Sequence, residues 1–286
     1  MTIDKIGKFT ILDTLGSGAH SSILHIRRAE DEREYALKLV NIDDKDDLKY
    51  LEQAKHEFRV GQMLNHPNLA KVYAFETDGG WFSGPKKARL LIEFVHGKTM
   101  DKLPLLKMAK LIRVFERIAD GFMHMHKQGV FHADLKPNNL IYDRGVRMKV
   151  IDFGLAWIKG EAKNRVQGTP EYMAPETVEH KLVNERTDIY NFGATMYRLT
   201  TLQLPPSWVS AGEVSLPMTS KVFKEQLKPV RSINPLVPEG LAEVIHACLQ
   251  PNATKRPERM SIIQGILDQL ADEAAMKLSD PGELEE

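Results

Sequence analysis

Cysteine is almost missing from this chain. Cys248 is the only one among 286 residues, so no internal disulfide can form, and a reducing compartment suits the sequence. Also missing is any apolar run near the ~18–20 residues that a bilayer span requires. Net charge is missing too: 39 Lys and Arg balance 39 Asp and Glu. That balance argues against bulk nucleic-acid or membrane-surface binding, since either favours a cationic excess. The N-terminal MTIDKIGKFT carries charges where a signal peptide has an apolar stretch. The expectation is a cytoplasmic chain with no nucleic-acid partner and no membrane segment of its own. A sensor or anchor beyond residue 286 of a longer parent stays open.

What is present is ordinary globular composition, 42% hydrophobic and 27% charged, in a length that suits one large domain or two packed lobes. Residues 9–15 (FTILDTL) mix β-branched and aromatic side chains and run into Gly-Ser-Gly, as a strand entering a tight turn does. Residues 22–27 and 34–40 read as the next strands. A helix follows over 46–64 and ends at His66-Pro67. Residues 71–75 and 89–94 read as strands, with a loop between them marked by Asp78-Gly79-Gly80 and Gly84-Pro85.

After Gly97 the period changes. Met108, Leu111, Ile112, Phe115, Ile118, Ala119 and Phe122 recur every three or four positions within 105–126, the stripe of a central helix. A short hairpin is expected over 140–142 and 148–151 around 143–145, with helices over 187–199, 239–249 and 260–271. The acidic tail 272–286 is expected to be flexible. No internal repeat or low-complexity tract is visible. This is an α+β pattern: a small β-rich lobe with one main helix, a hinge near 93–97, and a larger helical lobe.

Four clusters carry chemistry, and each has a plainer explanation when taken alone. Gly16-Ser17-Gly18-Ala19-His20-Ser21-Ser22-Ile23 lets backbone approach a phosphate with no Cβ in the way, but a simple hairpin turn has the same composition. Lys38 in Tyr35-Ala36-Leu37-Lys38 is a charge in an apolar strand that calls for an anionic partner, or for a route to solvent along an edge. His132-Ala133-Asp134-Leu135-Lys136-Pro137-Asn138-Asn139 packs an acid, a base and an amide into one short loop. Asp134 could take a proton from a hydroxyl, Lys136 could neutralise a phosphoryl group, and Asn139 could hold a hard cation; a solvated polar loop is the alternative. Asp152 in Val150-Ile151-Asp152-Phe153-Gly154 is a Mg²⁺ ligand candidate or an ordinary turn aspartate.

Taken in order and at these spacings, the four clusters resemble the eukaryotic-type (Hanks-type) serine/threonine protein kinase catalytic domain over residues 9–271, with a bacterial flavour in 229–257. Asp152-Phe153-Gly154 and Ala174-Pro175-Glu176 look like the ends of that family's activation segment. The resemblance implies a bilobal protein-kinase-like fold, with an N-lobe over 9–94, a hinge over 93–97 and a C-lobe over 98–271. It implies ATP as cofactor with Mg²⁺, for which Mn²⁺ can substitute, and a protein substrate with a Ser or Thr acceptor. Lys38 would meet the α- and β-phosphates, oriented by Glu57. Asp152 and Asn139 would hold Mg²⁺, Asp134 would receive the acceptor hydroxyl, and Lys136 would steady the γ-phosphate. Gly16 and Gly18 would cradle the nucleotide phosphates. Leu15, Ile23, Ala36 and Ile141 would sandwich adenine, Glu93 and Val95 would bond it through hinge backbone, and Ile92 would be the gatekeeper. Asp188 would anchor the catalytic loop, and Arg256 would pair Glu176. Serine/threonine choice is implied by Lys136-Pro137 and by Gly168-Thr169-Pro170-Glu171-Tyr172. Thr169 is expected to bond Asp134 and Lys136, with a phosphorylation site at Thr169 as the alternative.

Three departures from the family stand out. Ala133 replaces the arginine that gathers an activation-loop phosphate, and residues 155–167 contain no Ser, Thr or Tyr. Both point to activity without activation-loop phosphorylation. Ser21 replaces the third loop glycine, with a backbone restriction that would weaken nucleotide binding. Gly61 lies one turn after Glu57, where a bulky apolar residue is usual. A helix-interior glycine costs roughly 0.5–1 kcal/mol against alanine, so a mobile helix held by an activating partner is the expectation. The competing readings are a pseudokinase scaffold and a small-molecule phosphotransferase of the aminoglycoside or choline kinase kind. The intact Lys38, Glu57, Asp134, Asn139 and Asp152 argue against the first, and the Gly-Thr-Pro-Glu-Tyr stretch argues against the second. His124 and His126 lie two apart on a helix, which is poor metal geometry.

Overall fold

The computed structural model describes residues 5–18, 20–80, 84–143, 147–161, 166–209 and 218–279. Ala19, Trp81, the turn residues expected at 144–145, segment 162–165 and the tail end at 280–286 lie outside the described residues. The chain divides into two compact units, Met1–Gly97 with Ile151–Gly154, and Lys98–Val150 with Leu155–Glu286.

The first unit is a six-stranded antiparallel sheet and one helix. In chain order it contains β1 (Lys5–Ile6), β2 (Phe9–Ser17), β3 (Ser21–Arg28), β4 (Glu34–Asn41), α1 (Leu48–Met63), β5 (Val72–Gly80) and β6 (Gly84–Glu93), with spatial order β1-β2-β3-β4-β6-β5. Alternation along β4 divides its side chains between two cores. Val40 packs with Ile42, Ala88 and the helix residues Leu51 and Ala54. Tyr35 and Leu37 pack with Leu24 and Ile26 in a second cluster. Lys38 shares the parity of Val40, which places it on the helix side.

Two details of this unit correct the sequence reading. Strands β5 and β6 run through the expected loop, with Asp78 opposite Lys87 and Gly79 opposite Pro85, and Arg89 Nη1 donates to Asp78 Oδ1 at 2.7 Å. The second concerns Gly61. A Cβ there would lie 2.4 Å from Val72 Cγ2, and neighbouring Gln62 Nε2 donates to the Val72 carbonyl at 2.7 Å. The missing side chain lets α1 close directly onto β5. Close packing, and not looseness, accounts for the glycine.

The second unit is mostly helical. Its strands are β7 (Lys98–Thr99), β8 (Val130–Phe131), β9 (Leu140–Asp143), β10 (Arg147–Val150) and β11 (Trp157–Ile158), paired as β10-β9-β7 and β11-β8. Its helices are α2 (Met108–Lys127), α3 (Pro175–His180), α4 (Glu185–Thr201), α5 (Ser220–Gln226), α6 (Val230–Ile233), α7 (Glu239–Cys248) and α8 (Met260–Ser279). Helix α4 starts at a reciprocal cap: the Asn184 side chain accepts from Arg186 N and Thr187 N, while Thr187 Oγ1 accepts from Asn184 N. It is buried along most of its length, and Trp208 Nε1 donates to its Tyr190 hydroxyl at 2.8 Å. Helix α8 continues past Asp272 to Ser279, and Arg113 on α2 donates to Asp268 at 3.0 Å and Asp272 at 2.7 Å.

Candidate active site

Within the first unit, three charged side chains converge. Glu57 lies on the buried stripe of α1 with Leu51, Ala54 and Val60, and only 2% of its surface is exposed. A carboxylate there requires a partner. Lys38 Nζ supplies it at 2.7 Å, and the backbone N–H of Phe153 adds a further bond. Asp152 Oδ1 lies 3.8 Å from the same ammonium. Burial by itself would push Lys38 down, but the charges of Glu57 and Asp152 outweigh it and hold the lysine above its ordinary range. Burial raises the Glu57 carboxyl; the 2.7 Å contact favours the charged pair, and the raised lysine is the direction this geometry supports.

Asp152 itself has φ of +66°, a left-handed conformation that strains a non-glycine residue by about 1–3 kcal/mol. Its Oδ1 accepts from Gly154 N at 3.2 Å, and the side chain is 46% exposed. The carboxylate is therefore fixed in direction yet open to a ligand.

The phosphate-loop residues form a tight strand connection. Gly16 pairs with Ile23 beside a register shift, and Gly18 N donates to Ser21 O at 2.7 Å. Ser21 opens β3 opposite Val40 and is not among the residues of positive φ. Serine fits there without backbone strain, which removes the expected reason for weaker nucleotide binding. Leu15 on β2 is exposed, Ala36 is buried opposite Ile92, and Glu93 N bonds to Lys71 O at 2.8 Å. Val95 follows β6 and is half-buried. Ile141 belongs to the second unit, on β9.

Within the second unit, Asp134 is the centre of a small network. Its Oδ1 accepts from Thr169 N and Thr169 Oγ1, both at 2.7 Å. Its Oδ2 lies 3.0 Å from Lys136 Nζ, and Lys136 Nζ also donates to Thr169 Oγ1 at 2.6 Å. Asn139 Nδ2 donates to the Asp134 carbonyl at 2.9 Å and reaches Asp134 Oδ2 at 3.4 Å. The half-exposed carboxylate of Asp152 in the first unit is a hard oxygen donor of the kind Mg²⁺ prefers, and so, taken by itself, is the amide oxygen of Asn139 in the second.

The loop carrying Asp134 is held by Asp188 on α4. Its two oxygens accept from His132 N at 2.9 Å and Ala133 N at 2.8 Å. Those bonds stabilise Ala133 at φ of +64°. His126 Nε2 lies 2.8 Å from Asp188 Oδ2. Its spacing from His124 excludes a metal pair but not a structural role: it falls four residues after Phe122 on the apolar stripe, and a histidine on a buried face needs a partner. Farther along, Arg256 forks onto Glu176 at 2.7 and 2.9 Å.

The protein kinase domain family model matches residues 9–266. The chain is 30% identical over 260 residues to CBL-interacting protein kinase 8 of Oryza sativa subsp. japonica, covering 88% of this chain and 55% of that protein. It is 25% identical over 248 residues to serine/threonine-protein kinase PrkC of Bacillus subtilis, covering 84% and 37%, and 28% identical over 267 residues to serine/threonine-protein kinase pkn2 of Myxococcus xanthus, covering 88% and 31%. The chain therefore belongs to the protein kinase domain family, and it spans about a third to just over half the length of these relatives. No helix among the described residues is long and apolar enough to cross a membrane.

Proposed function

We propose that this domain transfers the γ-phosphate of ATP to serine and threonine hydroxyls of proteins. The observation that carries the reading is the Asp134 carboxylate, fixed through Oδ1 by Thr169 and flanked at Oδ2 by Lys136. Oδ1 accepts two short bonds at 2.7 Å, whereas the donors at Oδ2 stand farther off, Lys136 at 3.0 Å and Asn139 at 3.4 Å, so Oδ2 is the more loosely held oxygen for the proton of an incoming hydroxyl. Lys136 neutralises charge on the transferred group, and Thr169 shapes the acceptor position. Its hydroxyl is engaged on both sides, which supports positioning over modification.

Bound Mg-ATP supplies the phosphoryl group and the metal charge that neutralises it. Lys38, held by Glu57, would take the α- and β-phosphates, and Asp152 and Asn139 would offer oxygen ligands to the metal. Mn²⁺ fits the same donors. Leu15, Gly16, Gly18, Ile23, Ala36, Glu93, Val95 and Ile141 take the roles that the family gives their positions around the nucleotide.

We place this activity in the cytoplasm and free of activation-segment phosphorylation. Ala133 offers no guanidinium to a phosphate, and residues 155–167 offer no hydroxyl to modify. The packing of Gly61 on Val72 accounts for that glycine without an activating partner. The test is incubation with Mg²⁺, γ-labelled ATP and a basic protein, beside an Asp134→Asn control. Label on serine or threonine that disappears in the control supports the reading. Mg-ATP binding without any transfer would replace it with a scaffold.

A further inference from the structure

The space around Ala133 is filled. Phe131, Ala133 and Val183 form a buried apolar cluster, and Trp157 packs against it. The indole lies over the Phe131 ring with centroids 5.8 Å apart and planes 25° from parallel, and its Nε1 donates to the Glu161 carbonyl at 3.1 Å. The backbone makes the same connection: Trp157 pairs with Phe131, Ile158 pairs with Val130, and Lys159 N donates to Gly129 O at 2.8 Å. On the far side, Val183 follows a turn that Thr177 Oγ1 closes onto Leu182 O at 3.0 Å.

The ring contact, the strand pairing and the Lys159–Gly129 bond join the start of the activation segment to the strand that leads into the catalytic loop. A phosphate brought against this cluster would lose hydration with no guanidinium at residue 133 to replace it. The segment's other end is held separately, by Thr169 on Asp134. Gly168, at φ of +134°, lies so close to the Ala133 carbonyl that a Cβ would stand 3.3 Å from it. Both ends thus meet residues 131–134 through contacts that use neutral groups or the catalytic carboxylate.

We propose that Trp157 is a positioning residue, closing an apolar clasp on Phe131, Ala133 and Val183 that holds the activation segment in place without phosphate. The inference rests on the kinase reading above and gives its phosphate-independence a physical cause. A loosened clasp shifts the segment that carries Thr169 and misplaces the acceptor site, while the nucleotide contacts of the first unit stay intact.

The test compares Trp157→Ala, Trp157→Phe and Val183→Ala in the full chain. The readouts are kcat, KM for ATP, and hydrogen exchange of the Lys159 amide. Trp157→Ala is expected to lower kcat by about ten- to a hundredfold, leave KM for ATP near its original value, and speed Lys159 exchange. Trp157→Phe, which keeps a ring on Phe131, is expected to recover most of the rate. A folded Trp157→Ala protein with unchanged kcat and unchanged Lys159 exchange overturns the clasp. If that variant does not fold, Val183→Ala decides: slower turnover with faster Lys159 exchange supports the clasp, and no change in either overturns it. A wild-type chain that transfers no phosphate would sink the kinase reading, and Lys159 exchange would then judge the clasp alone.

Discussion

His126 Nε2 stands 2.8 Å from Asp188 Oδ2, linking the end of α2 to the carboxylate that holds the catalytic-loop backbone. The other ring nitrogen lies 3.2 Å from Glu185 Oε1, close enough for an ion pair although not aligned as a hydrogen bond. Burial between the Phe122 and Phe131 rings would lower the imidazole, but the two carboxylates outweigh it and raise the group from 6.5 to about 9.

A raised histidine stabilises the fold while it is protonated. Its contribution is fully present below pH 6.5 and is lost as the pH rises through about 9. The thermal midpoint should therefore fall between pH 7 and 10. His126→Gln, which carries no titrating proton there, should be less stable at pH 7 and flatter across this window. An equally steep fall in the variant would show that some other group causes it.

The pair Glu176–Arg256 supports α4 from the opposite side. Thr187 Oγ1 adds a bond to the same carboxylate at 3.0 Å, and the Arg256 side chain is fully buried. Removing one partner of such a pair costs about 3–5 kcal/mol. Urea unfolding of Arg256→Ala should show a loss of that order. Arg256→Lys should recover only part of it, because an ammonium cannot fork onto both oxygens. Equal stability of the lysine variant and the parent would refute the account of this pair.

Gly61→Ala sets two effects against each other. Alanine is the better helix former by about 1 kcal/mol, yet its Cβ would overlap Val72, and overpacking costs typically about 1–3 kcal/mol. The clash should win and lower stability. Adding Val72→Ala should then recover stability relative to the Gly61→Ala single variant, as coupled neighbours do. A Gly61→Ala protein more stable than the parent would restore the loose-helix explanation.

These cases mark where the sequence is legible. Lys38 and Glu57 can be placed because strand alternation and the stripe through Leu51 and Ala54 assign their faces. Helix α2 declares itself through its period. Trp157 gives no such signal, since a two-residue strand has no period and its partners Phe131 and Val183 are distant in sequence. Gly61 misleads for a related reason: helix propensity is local, whereas its role is set by Val72 eleven positions on. The left-handed backbone at Ala133 depends on Asp188, 55 residues away.

Phosphate-independent catalysis stands or falls on an initial-rate assay with protein verified by mass as unphosphorylated. Protein-acceptor phosphorylation should run at full rate from the first turnovers, with no lag and no gain after preincubation with Mg-ATP. A lag that disappears on preincubation and returns after phosphatase treatment would contradict it.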